Sequence, residues 1–200
     1  MKKIKSALSI ILLSALSICL TSGISNARNL NGWAEYISSH TSGMISKKSA
    51  IQIVFNEDMV KSINESAEGI LTFKPHIKGV YKWKSLDEIV FTPKIPLSSG
   101  ARIKAYVNIK RLKPETASLK PYSFKFSTIK QSFDLKVDGL SSVDDFDLSK
   151  KILKGNIVTA DYADDMSVEK VIKASQKGDA LPVEWKHHPH SKKHDHRFSR

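Results

Sequence analysis

Apolar residues occupy every second position of several short segments between residues 34 and 130. In the clearest segment, 102–110, one face is apolar and the other is mainly basic, the apolar face carrying Ile103, Ala105, Val107 and Ile109. Residues 51–56, 81–84 and 124–126 repeat the alternation, with prolines and glycines between the segments. A period of two is typical of half-buried β-strands. The pattern therefore predicts an antiparallel sandwich of about seven strands.

Residues 131–200 show the same alternation over fewer segments. Strands are predicted to begin at Phe133, to cover 153–161 and 181–185, and to close the chain. Between them, Ser167 is a candidate N-cap for a short helix that Gly178 would stop. Seventy residues are fewer than the ~100 of a complete sandwich. The expected fold class is thus all-β: tandem Ig-like antiparallel β-sandwiches, the second incomplete and carrying a short helix.

The first 27 residues predict export. A basic start is followed by an apolar run ending near Leu20 and by small residues up to Ala27, which is the pattern of a secretory signal peptide. Cleavage after Ala27 would discard Cys19, the single cysteine of the chain. The alternative is a lipoprotein, because residues 16–19 (Leu-Ser-Ile-Cys) look like a lipobox and a lipidated Cys19 would tether the chain to a membrane. Ile18 fits the lipobox poorly, since the position before its cysteine usually holds a small residue. The expected location is the periplasm or cell envelope.

The net charge of +12 first suggests a nucleic-acid partner. Three lysines leave with residues 1–27, and six further basic residues lie on the outer faces of predicted strands, namely Lys82, Lys84, Arg102, Lys104, Lys110 and Lys125. Single-strand binding would require aromatic rings among these lysines, whereas the aromatic residues are expected to face the core. The charge therefore indicates solvated sheet faces, and no nucleic-acid partner is expected.

Five segments of the first predicted sandwich carry a family resemblance: 51–60, 71–75, 79–83, 91–100 and 106–107. The first of them runs from apolar alternation into a Phe, an acid and a Met, as bacterial Ig-like modules do. In this order the segments resemble the first macroglobulin-like domain of bacterial alpha-2-macroglobulins, although Ala101 stands where a Thr is common. The short helix before the Leu-x-Val-x-Trp segment at 181–185 is similar to the second such domain. The resemblance covers roughly residues 34–200.

The resemblance implies a domain order and a function. It divides the chain into a signal peptide at 1–27, a first Ig-like/macroglobulin-like domain at 28–130 and a truncated second domain at 131–200. Complete members look like traps in which a protease cuts a bait segment, the domains collapse around it, and a thioester often captures it. The expected function is the N-terminal scaffold portion of such an exported protease-trapping inhibitor. The implied partners are target proteases and the macroglobulin domains that would follow.

Neither catalysis nor a cofactor is expected from the motifs present. The thioester motif Cys-x-Glu-Gln is missing, because Cys19 is followed by Leu-Thr-Ser, and no bait region is assigned. The chain also contains no nucleophile elbow, zincin helix or phosphate-binding glycine loop. The acid-rich turns around Asp144 and Asp161 form no calcium-loop motif and indicate solvated turns. The chain is therefore predicted not to be an enzyme, and to aggregate because an incomplete sandwich exposes its core.

Five of the seven histidines lie between residues 187 and 196. Two residues apart on a predicted strand, His194 and His196 would project to one face and are the candidate ligands for zinc or copper. Lys192 and Lys193 oppose a cation there, and no third ligand is evident, so the expectation is that no metal is bound. A small metal-handling protein remains one alternative function. A second is an Ig-like envelope or glycan binding module, with Trp33 and Tyr36 as its aromatic contacts.

Overall fold

The computed structural model of the protein describes residues 32–143, 150–188 and 190–199. The predicted signal peptide, with Cys19, lies outside these ranges. The described chain is all-β, as predicted, with one short α-helix and two 3-10 turns at Trp33–Glu35 and Pro114–Ser118. No helix of this described part is long and apolar enough to cross a membrane.

The first unit consists of eight strands in two four-stranded sheets. The strands are β1 (Ile37–His40), β2 (Gly43–Ile45), β3 (Ile51–Phe55), β4 (Leu71–Lys74), β5 (Gly79–Trp83), β6 (Glu88–Pro93), β7 (Arg102–Val107) and β8 (Tyr122–Thr128). One sheet has the order β1-β3-β6-β5 and the other β2-β8-β7-β4. The neighbours are antiparallel except β2 and β8, which pair in parallel.

One hydrophobic core lies between these two sheets. In β3, Ile51, Ile53 and Phe55 are buried and alternate with more exposed residues, as period-two patterning requires. The Phe91 ring lies 4.6 Å from those of Phe73 and Tyr81. A Cβ atom on Gly79 would come within 2.3 Å of the Phe91 ring, so this close approach requires glycine.

The second unit contains one four-stranded antiparallel sheet and one hairpin. Its strands are β9 (Phe133–Ser142), β10 (Lys151–Thr159), β11 (Ala174–Gln176), β12 (Asp179–Leu181), β13 (Val183–His187) and β14 (Lys193–Ser199). The sheet has the order β13-β14-β10-β9, and β11 pairs only with β12 among the described residues. The edge strand β9 is exposed along nearly its whole length, although its apolar residues alternate as the sequence predicted.

The short helix differs from the predicted one at both ends. Helix α1 spans Asp165–Glu169, and its N-cap is Asp164, whose Oδ1 accepts a 2.9 Å hydrogen bond from the Ser167 amide. The prediction of Ser167 as N-cap is therefore wrong. Gly178 is no helix stop either: with Lys177 it has positive φ in the turn between β11 and β12. Two consecutive left-handed residues are what a tight hairpin turn needs.

Candidate functional site

The carboxylate of Asp161 lies at the junction between the two units. It follows β10, is 1% exposed, and accepts hydrogen bonds from Ser46 Oγ at 2.6 Å and from the Lys47 amide at 2.7 Å. The Tyr162 amide donates a third at 2.8 Å. Two of these donors belong to the first unit, more than 110 positions away in sequence. Three hydrogen-bond donors offset the cost of burying the carboxylate. Because two of them belong to the first unit, the carboxylate also links the two units.

The ionised form of Asp161 is favoured by these contacts. Burial by itself raises the pKa of a carboxyl group, but the hydrogen bonds from Ser46, Lys47 and Tyr162, with the nearby Lys192 charge, outweigh it. The pKa of Asp161 is consequently lowered from its ordinary value. Asp161 is therefore an anion at neutral pH and a structural acceptor. The prediction of a solvated turn is wrong for Asp161, which is buried.

The main chain around Asp161 is held as well. The Gln131 side chain accepts from the Asp161 amide at 3.0 Å and donates to the Asp161 carbonyl at 3.1 Å. Lys192 Nζ donates to the Ala160 carbonyl at 2.9 Å. The Lys48 ammonium lies 4.6 Å from the centre of the Tyr162 ring. Contacts on both sides of Asp161 thus fix the junction.

A second polar cluster lies at the end of the β13–β14 hairpin. His187 and His194 are directly paired across these antiparallel strands, and their Nδ1 atoms are 2.8 Å apart. Asp165, the first residue of α1, places Oδ1 3.4 Å from His187 Nδ1 and 4.0 Å from His194 Nδ1. On the other side of the imidazole, His187 Nε2 is 3.0 Å from Glu169 Oε1. Two strands and one helix therefore bring two imidazoles and two carboxylates together.

The buried imidazole of this cluster is held in its neutral form. Burial lowers the pKa of His194, the neighbouring His187 lowers it further, and Asp165 acts in the opposite direction. The ring of His194 is 3% exposed, and its Nε2 has no hydrogen-bond partner within the described part of the chain. A neutral imidazole offers a lone pair to a proton donor or to an electrophile.

The predicted pairing of His194 with His196 is only partly reproduced. Both side chains project to the same face of β14, as their spacing requires. His196, however, lies over Gly155, and the centre of its ring is 5.5 Å from that of Trp185 and 5.4 Å from that of Phe198. Burial lowers the pKa of His196 as well. Its role is thus packing among aromatic side chains, while His194 is paired with His187. Cys19, the candidate lipidation site, lies outside the described residues.

Three members of the cluster, His187, Asp165 and Glu169, are not among the site residues that the sequence predicts. His187 belongs to the histidine-rich segment, and a hairpin turn between residues 187 and 194 places the two side by side, so the sequence contained this signal. Asp165 and Glu169 give no such signal, because their approach to the histidines depends on how α1 packs against the sheet. Asp144, Asp145 and Asp147 of the acid-rich turns lie outside the described residues.

The aromatic residues proposed for a glycan site are differently placed. Trp33 is buried, and its Nε1 donates a 2.6 Å hydrogen bond to the Lys120 carbonyl. Tyr36 is half-buried, with its ring 6.1 Å from that of Trp33. Trp33 is therefore a core residue. The expectation that aromatic rings avoid the basic faces also fails at Tyr106, whose ring centre lies 4.8 Å from the Lys104 ammonium.

Comparison with known proteins identifies no family. No family model matches the sequence, and no curated protein matches it. Among solved structures, the chain is similar to an L,D-transpeptidase from Mycobacterium smegmatis, with a TM-score of 0.38 and 11% identity over 76% of this chain and 54% of that one. It is also similar to L,D-transpeptidase 3 from Mycobacterium tuberculosis in complex with a faropenem-derived adduct (TM-score 0.37, 11% identity, 80% of this chain and 60% of that one).

A third similar structure is that of an L,D-transpeptidase from Mycobacterium tuberculosis H37Rv, with a TM-score of 0.37 and 13% identity over 78% of this chain. The chain spans 54% to 61% of the length of these three structures. All three are enzymes, and this finding contradicts the expectation that the chain is not an enzyme. At such identities and TM-scores the likeness assigns no activity, substrate or active-site residue to this chain.

Proposed function

We propose that the chain is the N-terminal scaffold portion of an exported bacterial protein of the alpha-2-macroglobulin type, which in its complete form traps proteases. The proposal is supported by the ordered resemblance of residues 34–200 to the first two macroglobulin-like domains. The all-β fold agrees with what that resemblance implies. The partners are the macroglobulin domains that follow and the proteases that the complete protein captures.

The observation that carries the proposal is the Asp161 junction. A trap that closes after cleavage moves its domains relative to one another, so the parts that serve as scaffold must hold their own geometry. Asp161 accepts hydrogen bonds from Ser46 and Lys47 of the first unit and lies in the second. Bonds to a buried charged group are stronger than neutral ones and costly to break. The junction therefore suits a scaffold in which the two units keep a fixed relative geometry while other domains move.

The proposal is tested in the native host with an antibody raised against the first unit. We expect the antibody to detect, in the exported fraction, a product much larger than the 22.3 kDa of this chain. Incubation with an active serine protease should convert that product to a cleaved form that retains the protease, whereas protease inactivated beforehand should not be retained. Asp161→Asn should reduce retention, while Asp134→Asn, on the exposed face of β9, serves as the control.

Two outcomes would contradict the proposal. One is an antibody signal confined to an unexported 22.3 kDa product. The other is an exported product that retains no active protease. In the second case, pull-down of envelope glycans or proteins by the exported chain would favour the Ig-like binding module instead.

A further inference from the structure

We propose that Asp165, His187 and His194 form a binding site for a divalent metal ion of the zinc class, with Glu169 holding His187 in its ligating orientation. This site is separate from the Asp161 junction and independent of the function proposed above. It differs from the His194–His196 pair that the sequence suggested.

The three candidate ligand atoms form a triangle of the right size. Its sides are 2.8 Å between the two Nδ1 atoms, 3.4 Å from His187 Nδ1 to Asp165 Oδ1, and 4.0 Å from His194 Nδ1 to the same oxygen. Ligand atoms around a tetrahedral zinc ion, with bonds of about 2.0–2.1 Å, lie about 3.3–3.4 Å apart. The observed sides bracket this value. An ion at the centre therefore requires small shifts of side chains, and no strand has to move.

The orientation of His187 is already that of a metal ligand. Its Nε2 faces Glu169 Oε1 at 3.0 Å, so the proton of this ring belongs on Nε2 and the lone pair on Nδ1. That lone pair points towards His194 and Asp165. Histidines that bind metals usually donate their other N–H group to a carboxylate, which fixes the tautomer and the ring. Glu169 occupies this position on α1.

The surroundings favour a cation in spite of the lysines in the sequence. Lys192 donates to the Ala160 carbonyl at 2.9 Å, and Lys193 forms a 3.0 Å ion pair with Asp195. Both ammonium groups are therefore engaged elsewhere, as is His188, whose Nε2 lies 2.8 Å from Asp195 Oδ2. The carboxylates of Asp165 and Glu169 supply the negative charge beside the imidazoles.

The ligand set also indicates which ion and what coordination to expect. Two imidazoles and a carboxylate suit zinc and its neighbours nickel and copper, whereas magnesium and calcium prefer oxygen alone. The Asp165 side chain is 60% exposed, so the fourth position would open towards solvent. Three protein ligands with one open position are typical of zinc sites that bind a further molecule. The bound ion would also connect α1 to the β13–β14 hairpin.

The test is calorimetric titration of zinc chloride into the untagged full chain, with His187→Gln and Asp165→Asn as site variants and His190→Gln as the matched control. We expect one zinc ion per chain at micromolar or tighter affinity, and at least a tenfold loss in each site variant. Glu169→Gln should weaken binding about 10- to 100-fold, as loss of a carboxylate behind a histidine ligand does. His190→Gln should bind as the unmodified chain does.

Cobalt provides an independent readout, because a tetrahedral cobalt ion with nitrogen and oxygen ligands absorbs visible light. This absorption should appear in the unmodified chain and in His190→Gln and disappear in His187→Gln, with circular dichroism confirming that each variant is folded. No binding to the unmodified chain at micromolar metal would overturn the proposal. Equal loss of binding in His190→Gln would also overturn it, since that result means adventitious binding by surface histidines.

Discussion

Strands β8 and β9 follow each other in the chain and carry the same alternation, yet they bury it differently. In β8, Tyr122, Phe124 and Phe126 are buried in the core between two sheets. In β9, Phe133 and its alternate apolar neighbours are about half exposed. The first unit has two opposing sheets, while the described part of the second has one four-stranded sheet, the β11–β12 hairpin and α1. Alternation thus defines an apolar face, and a packed partner layer is needed to bury it.

The largest expected difference comes from the same substitution in both units. Leu71, on β4, is 0% exposed, whereas Leu135, on β9, is 49% exposed. Leu71→Ala should lower the free energy of unfolding by about 2–5 kcal/mol because it leaves a cavity. Leu135→Ala should change it by about 0.5 kcal/mol or less. Urea denaturation followed by circular dichroism measures both, and equal losses would mean that β9 is as buried as β4.

Asp161→Asn tests the contact between the two units. Replacing the buried carboxylate should cost about 1–3 kcal/mol, since its donors lose a charged acceptor. The pKa of Asp161 is lowered in the folded state. Its charge therefore contributes fully to the free energy of unfolding above the unfolded pKa of about 3.9, and this contribution is lost as the pH falls through the lower folded pKa.

The advantage of the unmodified chain over Asp161→Asn should accordingly be constant from pH 7 to 5 and shrink below about pH 4. Thermal unfolding at a series of pH values measures this difference. Asp134→Asn, on the exposed face of β9, is the control and should stay within about 0.5 kcal/mol of the unmodified chain. A cost for Asp161→Asn that is independent of pH down to pH 2 would contradict the role of its charge.

Two valines of similar exposure test whether the β9 surface drives association. Val137 on β9 is 52% exposed and Val80 on β5 is 54% exposed, and both strands lie at sheet edges. Val137 continues the exposed apolar row of Phe133 and Leu135, and apolar rows on edge strands promote aggregation.

Val137→Lys should therefore reduce aggregation of the chain several-fold, whereas Val80→Lys should leave it nearly unchanged. Sedimentation velocity at increasing protein concentration measures the aggregated fraction. A purely monomeric unmodified chain would remove the basis of this prediction, and equal effects of both lysines would show that net charge alone is responsible.

The smallest effects are expected from exposed ion pairs, of which each unit contains an example. Lys84 and Glu88 form a 3.1 Å pair at the β5–β6 hairpin, and Arg197 bonds to Glu184 between β14 and β13. Exposed pairs contribute about 0.2–1 kcal/mol. Lys84→Ala and Arg197→Ala should both stay within this range in urea denaturation. A loss above 2 kcal/mol in either would show that the pair belongs to a larger network.

The sequence predicted much of the fold and little of the candidate sites. The strand positions followed from the alternation, because in an extended chain each side chain's face depends only on its position. The helix was misplaced since Asp164 and Ser167 are both good capping residues, and the structure uses the first. The sequence does not predict the burial of Trp33, because its hydrogen bond to Lys120 spans 87 positions, a separation that local patterns do not cover.

By itself, therefore, the sequence determined the class of fold, the strand faces and the clustering of histidines. Only the packing of the elements brings Ser46 to Asp161, which accepts a hydrogen bond from the Ser46 hydroxyl, and brings Asp165 to His187 and His194. The physical reason is that alternation is a property of neighbouring residues. The two polar clusters, in contrast, depend on loops closing and on sheets and a helix packing together, which places distant residues within hydrogen-bond range.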